Sequence, residues 1–178
     1  MIRGFVIGAI ATVAVAAVAA FATVSLGLLP AGADQKPPAI ERWAAKTSLH
    51  AAMRRDTPNL HDPLPLTDAN LSAGVKLYAA DCLFCHGAAD KQASTAAKGF
   101  YIRAPQLADD GVEDDPEGVT YWKIAHGIRF TAMPAFGKNL TDEQMWQITQ
   151  FVAHMDKLPP AVDAEWKKVP SAAEQHTT

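Results

Sequence analysis

The sequence predicts an all-α protein in which an apolar helix precedes a helical domain. Apolar residues recur at helical spacing in three segments after residue 67, and no segment shows the strong alternation typical of β-strands. The chain opens instead with an uncharged run from Gly4 to Leu29. At about 1.5 Å per residue, such a run forms a helix long enough to cross a hydrocarbon core of about 30 Å.

Residues 1–33 are interpreted as a transmembrane anchor. A cleavable signal peptide has an apolar region of about 7–15 residues, so the longer run here favours a retained helix. Ala31-Gly32-Ala33 fits a cleavage site and keeps an alternative open, a soluble periplasmic protein released near Ala33. Because Arg3 is the one charged side chain of this segment, the positive-inside rule predicts that the rest is exported, in a bacterium to the periplasm at the inner membrane.

Composition limits the functions open to the exported part. The chain has 178 residues and a formal net charge of -3, which disfavours nucleic-acid binding because that function usually needs a basic surface. The 2 cysteines cannot build a disulfide framework. They must therefore serve a local site or a single staple.

Residues 34–66 are predicted to form a linker and an amphipathic juxtamembrane helix. The helix is expected over residues 40–55, between proline-containing segments. Its basic residues recur every four positions and so share one face: Arg42, Lys46, His50 and Arg54. With Trp43 near its start, this helix presents either an ordinary solvated face or a surface that rests on anionic lipid head groups.

The main domain is predicted over residues 67–158, followed by a polar C-terminal tail over 159–178 with one short amphipathic piece. Three helices are expected in the domain: one that starts at Thr67 or Asp68, one from about Pro116 to His126, and one that starts after Thr141. The last is the clearest, because Thr141 and Gln144 fit a capping box and two prolines end it.

The stretch Cys82-Leu83-Phe84-Cys85-His86 contains both thiols and an adjacent imidazole. Half a zinc site, a redox dithiol and covalent haem attachment all use such groups. Zinc normally needs four ligands, and neighbouring Cys85 and His86 would have difficulty reaching one metal. A redox dithiol usually opens a helix beside a βαβ unit, whereas this motif closes a helix. In an exported protein the spacing favours haem, because the thiols can add to its two vinyl groups while His86 binds the iron.

A haem iron bound by His86 has a sixth position to fill. We predict Met133 as its ligand, because it lies in a loop, precedes Pro134 and has apolar neighbours suited to a haem wall. Other candidates lie on a helix core face, before the domain or at a helix end: Met145, Met155, Met53 and His126. Methionine–histidine ligation raises the reduction potential and, by filling the sixth site, favours electron transfer over catalysis.

These motifs make residues 67–158 similar to class I cytochromes c of the small, membrane-tethered bacterial type. The stretch 82–86 matches the haem-attachment motif of that family, and Met133-Pro134 matches its axial-methionine loop. Gly74 and Tyr78 in the first helix, with Phe151 in the last, match the family's close helix crossing. The resemblance implies a class I cytochrome c fold, with crossing N- and C-terminal helices and a haem enclosed by loops.

The segment Ala104-Pro105-Gln106-Leu107 resembles the family's Gly-Pro-x-Leu turn, with alanine in place of glycine. The resemblance implies that the Pro105 carbonyl accepts a hydrogen bond from His86 and orients its ring. It also implies one haem c bound by thioethers at Cys82 and Cys85, with His86 and Met133 as the axial ligands and no catalytic residue.

The resemblance implies a carrier that moves one electron at a time between redox proteins on the periplasmic side of a membrane. Its partners would be a quinol-oxidising complex, a terminal oxidase or a dehydrogenase. Two alternatives are a permanent cytochrome subunit of such a complex and a haem-based sensor or ligand binder with a labile Met133. Side chains proposed for the haem propionates are Arg103, Tyr101, Trp122 and Arg129, and the acid-rich segment 109–117 either steers a basic partner or is simply solvated.

Overall fold

The computed structural model describes residues 2–112 and 114–173. Met1, Glu113 of the acid-rich segment and residues 174–178 of the predicted tail lie outside that range. The chain forms two compact units, residues 1–35 and residues 36–178.

The first unit contains helix α1, Ile2–Ser25, which is 24 residues long. By length and composition it is the one helix among the described residues that could cross a membrane. Two of its hydroxyl groups bond within the helix: Thr12 Oγ1 donates to the Gly8 carbonyl at 2.9 Å, and Thr23 Oγ1 to the Ala19 carbonyl at 2.8 Å. Such internal bonds leave neither hydroxyl unsatisfied in an apolar solvent.

The second unit is helical, and no β-strand occurs in the described part of the chain, which confirms the all-α prediction. Its helices are α2 (Ala39–Asp56), α3 (Asp68–Asp81), α4 (Leu83–His86), α5 (Glu117–His126), α6 (Asp142–Ala153) and α7 (Pro160–Trp166), with a 3-10 turn at Ala97–Gly99. The predicted caps are confirmed. Thr67 caps α3, and Thr141 forms a capping box with Gln144 at the start of α6.

Helices α3 and α6 cross at Gly74. A Cβ atom placed on this glycine would lie 2.7 Å from the Phe151 Cβ atom, so only glycine allows the helices to approach this closely. Just beyond the crossing, the Tyr78 and Phe151 rings are fully buried, with centroids 5.3 Å apart in an edge-to-face arrangement. This crossing forms the core that supports the loops of the site.

Helix α7 lies in the segment that the sequence placed in a polar tail. Its Trp166 is only 3% exposed and packs edge-to-face on Tyr78 and Phe151, with centroid distances of 5.4 and 5.0 Å. Val162, one helical turn earlier, is 1% exposed. The packed core therefore continues past the expected boundary at residue 158, because the α3–α6 crossing leaves an aromatic surface that α7 covers.

Candidate haem-binding site

A cavity of about 300 Å³ brings the predicted site residues together. Both cysteines, the adjacent histidine, the proline of the 104–107 turn and the loop methionine line it: Cys82, Cys85, His86, Pro105 and Met133. Most other lining groups are apolar, from α5, α6 and the loops between α4 and α6, and include Leu107, Ile124, Ile128, Phe136, Ile148 and Val152. The site is an apolar pocket with thiols, an imidazole and a thioether as its potential donors.

His86 is oriented by a contact from a distant loop. Its Nδ1 lies 2.8 Å from the Pro105 carbonyl oxygen, which can only accept, so Nδ1 carries the proton and Nε2 keeps its lone pair. Burial lowers the pKa of His86, and the bond to Pro105 partly offsets that effect. The imidazole is therefore neutral and presents Nε2 as a metal ligand, which is the tautomer that an iron requires.

The two thiols are free and are not activated as nucleophiles. Burial, with the nearby Asp81 carboxylate, raises the pKa of Cys82 to about 12, and burial also raises the pKa of Cys85. A redox-active C-x-x-C site lowers the pKa of its attacking thiol. The pair therefore lacks the electrostatic feature that a dithiol oxidoreductase needs.

Gln106 ties the His86 turn to the rest of this wall, a role that sequence reasoning missed. Its Nε2 donates to the Cys85 carbonyl at 3.2 Å, and its backbone N–H donates to Asp110 at 2.6 Å. Asp110 also accepts from the Arg103 guanidinium at 2.9 Å, and this pairing lowers the pKa of the Asp110 carboxyl. Gln106 could have been suspected from the turn it shares with Pro105, but its partner Cys85 lies 21 residues away in sequence.

Met133 lies in a loop that is held mainly by its own backbone and one hydroxyl. The Ile128 N–H donates to the Met133 carbonyl at 3.2 Å, and Thr131 Oγ1 donates to the Ile128 carbonyl at 2.7 Å while accepting from the Met133 N–H at 3.1 Å. Gly127, at φ 64°, starts the loop, and a Cβ atom there would lie 2.6 Å from the Pro134 carbonyl carbon. Sequence reasoning singled out Met133 but not Thr131, which braces it.

The other candidate ligands for the iron differ in whether they line the cavity. Met145 is a core residue at 3% exposure, and neither Met155 nor His126 lines the cavity. Met53 does line it and is 9% exposed, although the sequence placed it before the domain. Within residues 2–112 and 114–173, no group of three or more His, Cys, Asp or Glu side chains converges as a metal site, so nothing there supports the zinc alternative.

Three of the four side chains suggested for the haem propionates have protein partners, and the fourth does not line the cavity. Arg103 lines the cavity but pairs with Asp110, and the Tyr101 hydroxyl donates to Glu41 at 2.8 Å. Trp122 packs on His126 at a centroid distance of 5.0 Å, and Arg129 does not line the cavity.

The acid-rich segment is likewise engaged with the protein. Three of its acids pair with lysine or arginine side chains, Asp109 with Lys91, Asp110 with Arg103 and Asp115 with Lys123. These pairs neutralise much of the charge that would steer a basic partner.

The residues present fit a covalently attached haem. Two unpaired thiols at the C-x-x-C spacing, a histidine with Nε2 available and a thioether meet at one cavity with apolar walls. If a haem were bound here, that donor set could supply two thiols for its attachment and two ligands for its iron, and the walls suit a porphyrin face.

Comparisons with known proteins find similarity over the region that contains this site. Residues 69–152 match the family model described as cytochrome c oxidase, cbb3-type, subunit III. The chain is 32% identical over 99 residues to the cbb3-type cytochrome c oxidase subunit FixP of Sinorhizobium medicae (strain WSM419). The alignment covers 50% of this chain and 31% of that protein, so the chain matches less than a third of its relative's length. No solved structure matches the chain significantly.

The family match begins one residue into α3 and ends one residue before the end of α6, so it contains the helix crossing, the 82–86 motif and the Met133 loop. The relative is itself named as a cytochrome c oxidase subunit. These findings make residues 69–152 similar to cbb3-type cytochrome c oxidase subunits, and in the chain that region follows the apolar helix α1.

Proposed function

We propose that this chain is a single-haem electron-transfer protein, with Cys82 and Cys85 as thioether attachment points and His86 and Met133 as axial ligands. The observation that carries the proposal is the convergence of these four side chains on one apolar cavity. The sequence has 2 cysteines, which suffice for one covalent haem. His86 and Met133 line the same cavity, and this supports a haem bound between them.

A haem held here would supply one-electron chemistry by cycling between Fe(III) and Fe(II). The protein would tune that chemistry through its ligands and walls. Pro105 fixes the His86 tautomer through the 2.8 Å bond, and the Met133 thioether favours the reduced state. Apolar side chains keep water from the site, which lowers the reorganisation that accompanies each electron transfer.

Electrons would enter and leave through the surface around the Met133 loop. Phe130 is 84% exposed there, and its φ of 63° is a conformation that costs a non-glycine residue energy. An exposed aromatic side chain beside the cavity is suited to the small, short-lived contacts that redox proteins make. We propose that the haem domain faces the periplasm, where Arg3 and the apolar helix would direct it.

Covalent attachment is the direct test of this proposal. The full-length protein, expressed with a cytochrome c maturation system, should keep one haem after denaturation, as read from its intact mass. The Cys82→Ala/Cys85→Ala double variant should lose it. The Lys91→Ala variant, changed at an exposed surface residue, serves as the control and should keep it. Loss of haem from the wild-type protein on denaturation would contradict the proposal.

A second candidate is a permanent electron-transfer subunit of a terminal oxidase. It is favoured by the matched family model and by the name of the FixP relative, both of which describe oxidase subunits. Purification of the native protein in mild detergent separates the candidates. A stoichiometric partner that co-purifies with oxidase activity would favour the fixed subunit, whereas a free cytochrome would favour the mobile carrier.

A further inference from the structure

Helix α2 contributes to the cavity although it precedes the region that matches the cytochrome family. Leu49, His50 and Met53 line the same cavity as the cysteines, His86 and Met133. Met53 is the one buried residue of α2, at 9% exposure, while Ile40 on the same helix is 69% exposed. A helix that merely linked the anchor to the domain would have no reason to bury a thioether there.

Specific contacts fasten both ends of α2 to the cytochrome domain. Near its start, Glu41 Oε1 accepts a hydrogen bond from the Tyr101 hydroxyl at 2.8 Å. At its end, Asp56 accepts hydrogen bonds from Arg55 and lies close enough to Trp122 of α5 for the indole to help lower the pKa of its carboxyl. The two attachments are more than three helical turns apart, so they fix both the position and the direction of the helix.

The connector after α2 is fitted to α5 as closely as the helices of the core are fitted to each other. A Cβ atom on Gly118 would lie 2.6 Å from the Leu60 carbonyl oxygen, so glycine is needed for this approach. The Asp62 N–H donates to Glu117 Oε1 at 3.1 Å at the start of α5. These contacts hold residues 57–62 against the domain and keep α2 over the cavity.

We propose that α2 is an additional wall of the haem pocket, in which the apolar side chains of Met53 and Leu49 close one side of the cavity against water. This inference rests on the proposed function, because it assumes a haem bound by Cys82, Cys85 and His86. The ferric iron carries one more positive charge than the ferrous iron, and water stabilises that charge. A wall that excludes water therefore raises the reduction potential.

The same placement makes Met53 a second thioether at the cavity, and its role can be separated from that of Met133. A wall needs only the volume and apolar character of the side chain, and leucine supplies both. An axial ligand needs the sulfur atom. Met53→Leu should therefore keep the sulfur-to-iron charge-transfer band of the oxidised protein and a reduction potential close to that of the wild type.

Spectroelectrochemical titration of the full-length protein tests the wall directly. Met53→Gln keeps the side-chain length but brings a polar amide into the cavity, so its reduction potential should fall below that of the wild type. Ile40→Gln makes the same kind of change at an exposed position of α2 and should leave the potential unchanged. If Met53→Gln folds poorly, Met53→Ala opens the same wall to water and should also lower the potential.

Two outcomes would overturn the inference. One is a Met53→Gln or Met53→Ala potential equal to that of Ile40→Gln, which would show that α2 does not shield the site. The other is loss of the sulfur-to-iron band in Met53→Leu, which would make Met53 a ligand rather than a wall. After the first outcome, a covalently attached haem leaves the proposed function standing. The second outcome would also remove Met133 as the proposed axial ligand, and absence of haem from the wild-type protein would remove both proposals.

Discussion

The His86 side and the Met133 side of the cavity are held by different kinds of contact. On the first side, His86 and Cys85 bond to partners 19 and 21 residues away, in the turn that contains Pro105 and Gln106. On the second side, the Thr131 bonds that brace Met133 span 3 and 2 residues. Beyond Met133, the loop is tied to α5 by two backbone bonds, from Phe136 and Gly137.

This difference predicts which of the two proposed iron ligands dissociates first. Long-range bonds place the His86 turn relative to the rest of the domain, whereas local bonds fix the shape of the Met133 loop more than its position. Opening a segment of few long-range contacts costs less free energy than opening one that is cross-linked to the core. We therefore expect Met133 to be the ligand that leaves when the site opens, while His86 stays bound.

The largest expected effect follows from removing the Met133 side chain. The reduced Met133→Ala protein should bind carbon monoxide rapidly and completely at neutral pH, because its sixth position is open. The wild-type protein should react slowly and incompletely. Gln106→Ala, which alters the other side, should react like the wild type. Rapid and complete binding by the wild-type protein would favour the sensor alternative.

A change at the helix crossing should lower the unfolding free energy and so destabilise the His86 side and the Met133 side of the cavity together. Gly74→Ala forces a methyl group onto Phe151 and the α6 backbone, and such overpacking typically costs about 1–3 kcal/mol of unfolding free energy. Gly99→Ala is a matched control, since a Cβ atom there meets nothing within 4 Å. Denaturant unfolding followed by the haem spectrum measures both. Equal midpoints for the two variants would show that the crossing tolerates the added methyl.

A smaller effect is expected from loosening the Met133 loop alone. Thr131→Ala removes one donated and one accepted hydrogen bond, with a net cost of about 1 kcal/mol. That cost corresponds to about fivefold faster carbon monoxide binding, because 1.4 kcal/mol is a factor of ten. Thr131→Ser keeps the hydroxyl and should retain the wild-type rate. A Thr131→Ser rate as fast as that of Thr131→Ala would show that the hydroxyl does not brace the loop.

The smallest effect concerns the turn on the His86 side and depends on pH. The Arg103 guanidinium and the Gln106 N–H lower the pKa of Asp110 below its ordinary value of 3.8. The Asp110 carboxylate therefore stabilises the fold above that pH, and this contribution is lost as the pH falls through the lowered pKa. Asp110→Asn should reduce the unfolding free energy at pH 7 by about 0.2–1 kcal/mol, the range of exposed ion pairs.

The Asp110→Asn variant should also lose part of the dependence of its unfolding free energy on acid pH. Unfolding free energies measured between pH 7 and pH 3 should fall less steeply for Asp110→Asn than for the wild-type protein, so the two curves converge at low pH. Parallel curves would show that Asp110 is not the group responsible.

The parts of this molecule that depend on local sequence patterns could be predicted from the sequence. The α-helical class, the Thr141–Gln144 capping box and the 82–86 motif are encoded within a few residues. The structure confirms the helical class and the capping box, and the cysteines and histidine of the motif line the cavity. The placement of Met133 at the cavity was predicted from a loop that precedes a proline, which is also local information.

Packing between segments that are distant in sequence could not be predicted from the sequence. Trp166 was assigned to a tail because nothing near it in sequence shows the aromatic surface of Tyr78 and Phe151 that it covers. Met53 was set aside because it precedes the domain, yet the attachments of α2 bring it to the cavity. The short amphipathic piece predicted in the tail contains Val162 and Trp166, one helical turn apart, but that spacing does not show which surface the helix packs on.

The central claim is one covalent haem with His86 and Met133 as axial ligands. The most direct test is the visible and near-infrared spectrum of the oxidised full-length protein beside that of Met133→Leu, with the intact mass of each. We expect one haem in both masses and a sulfur-to-iron charge-transfer band in the wild-type protein that is absent from Met133→Leu. The same band persisting in Met133→Leu, or no haem retained by the wild-type protein, would contradict it.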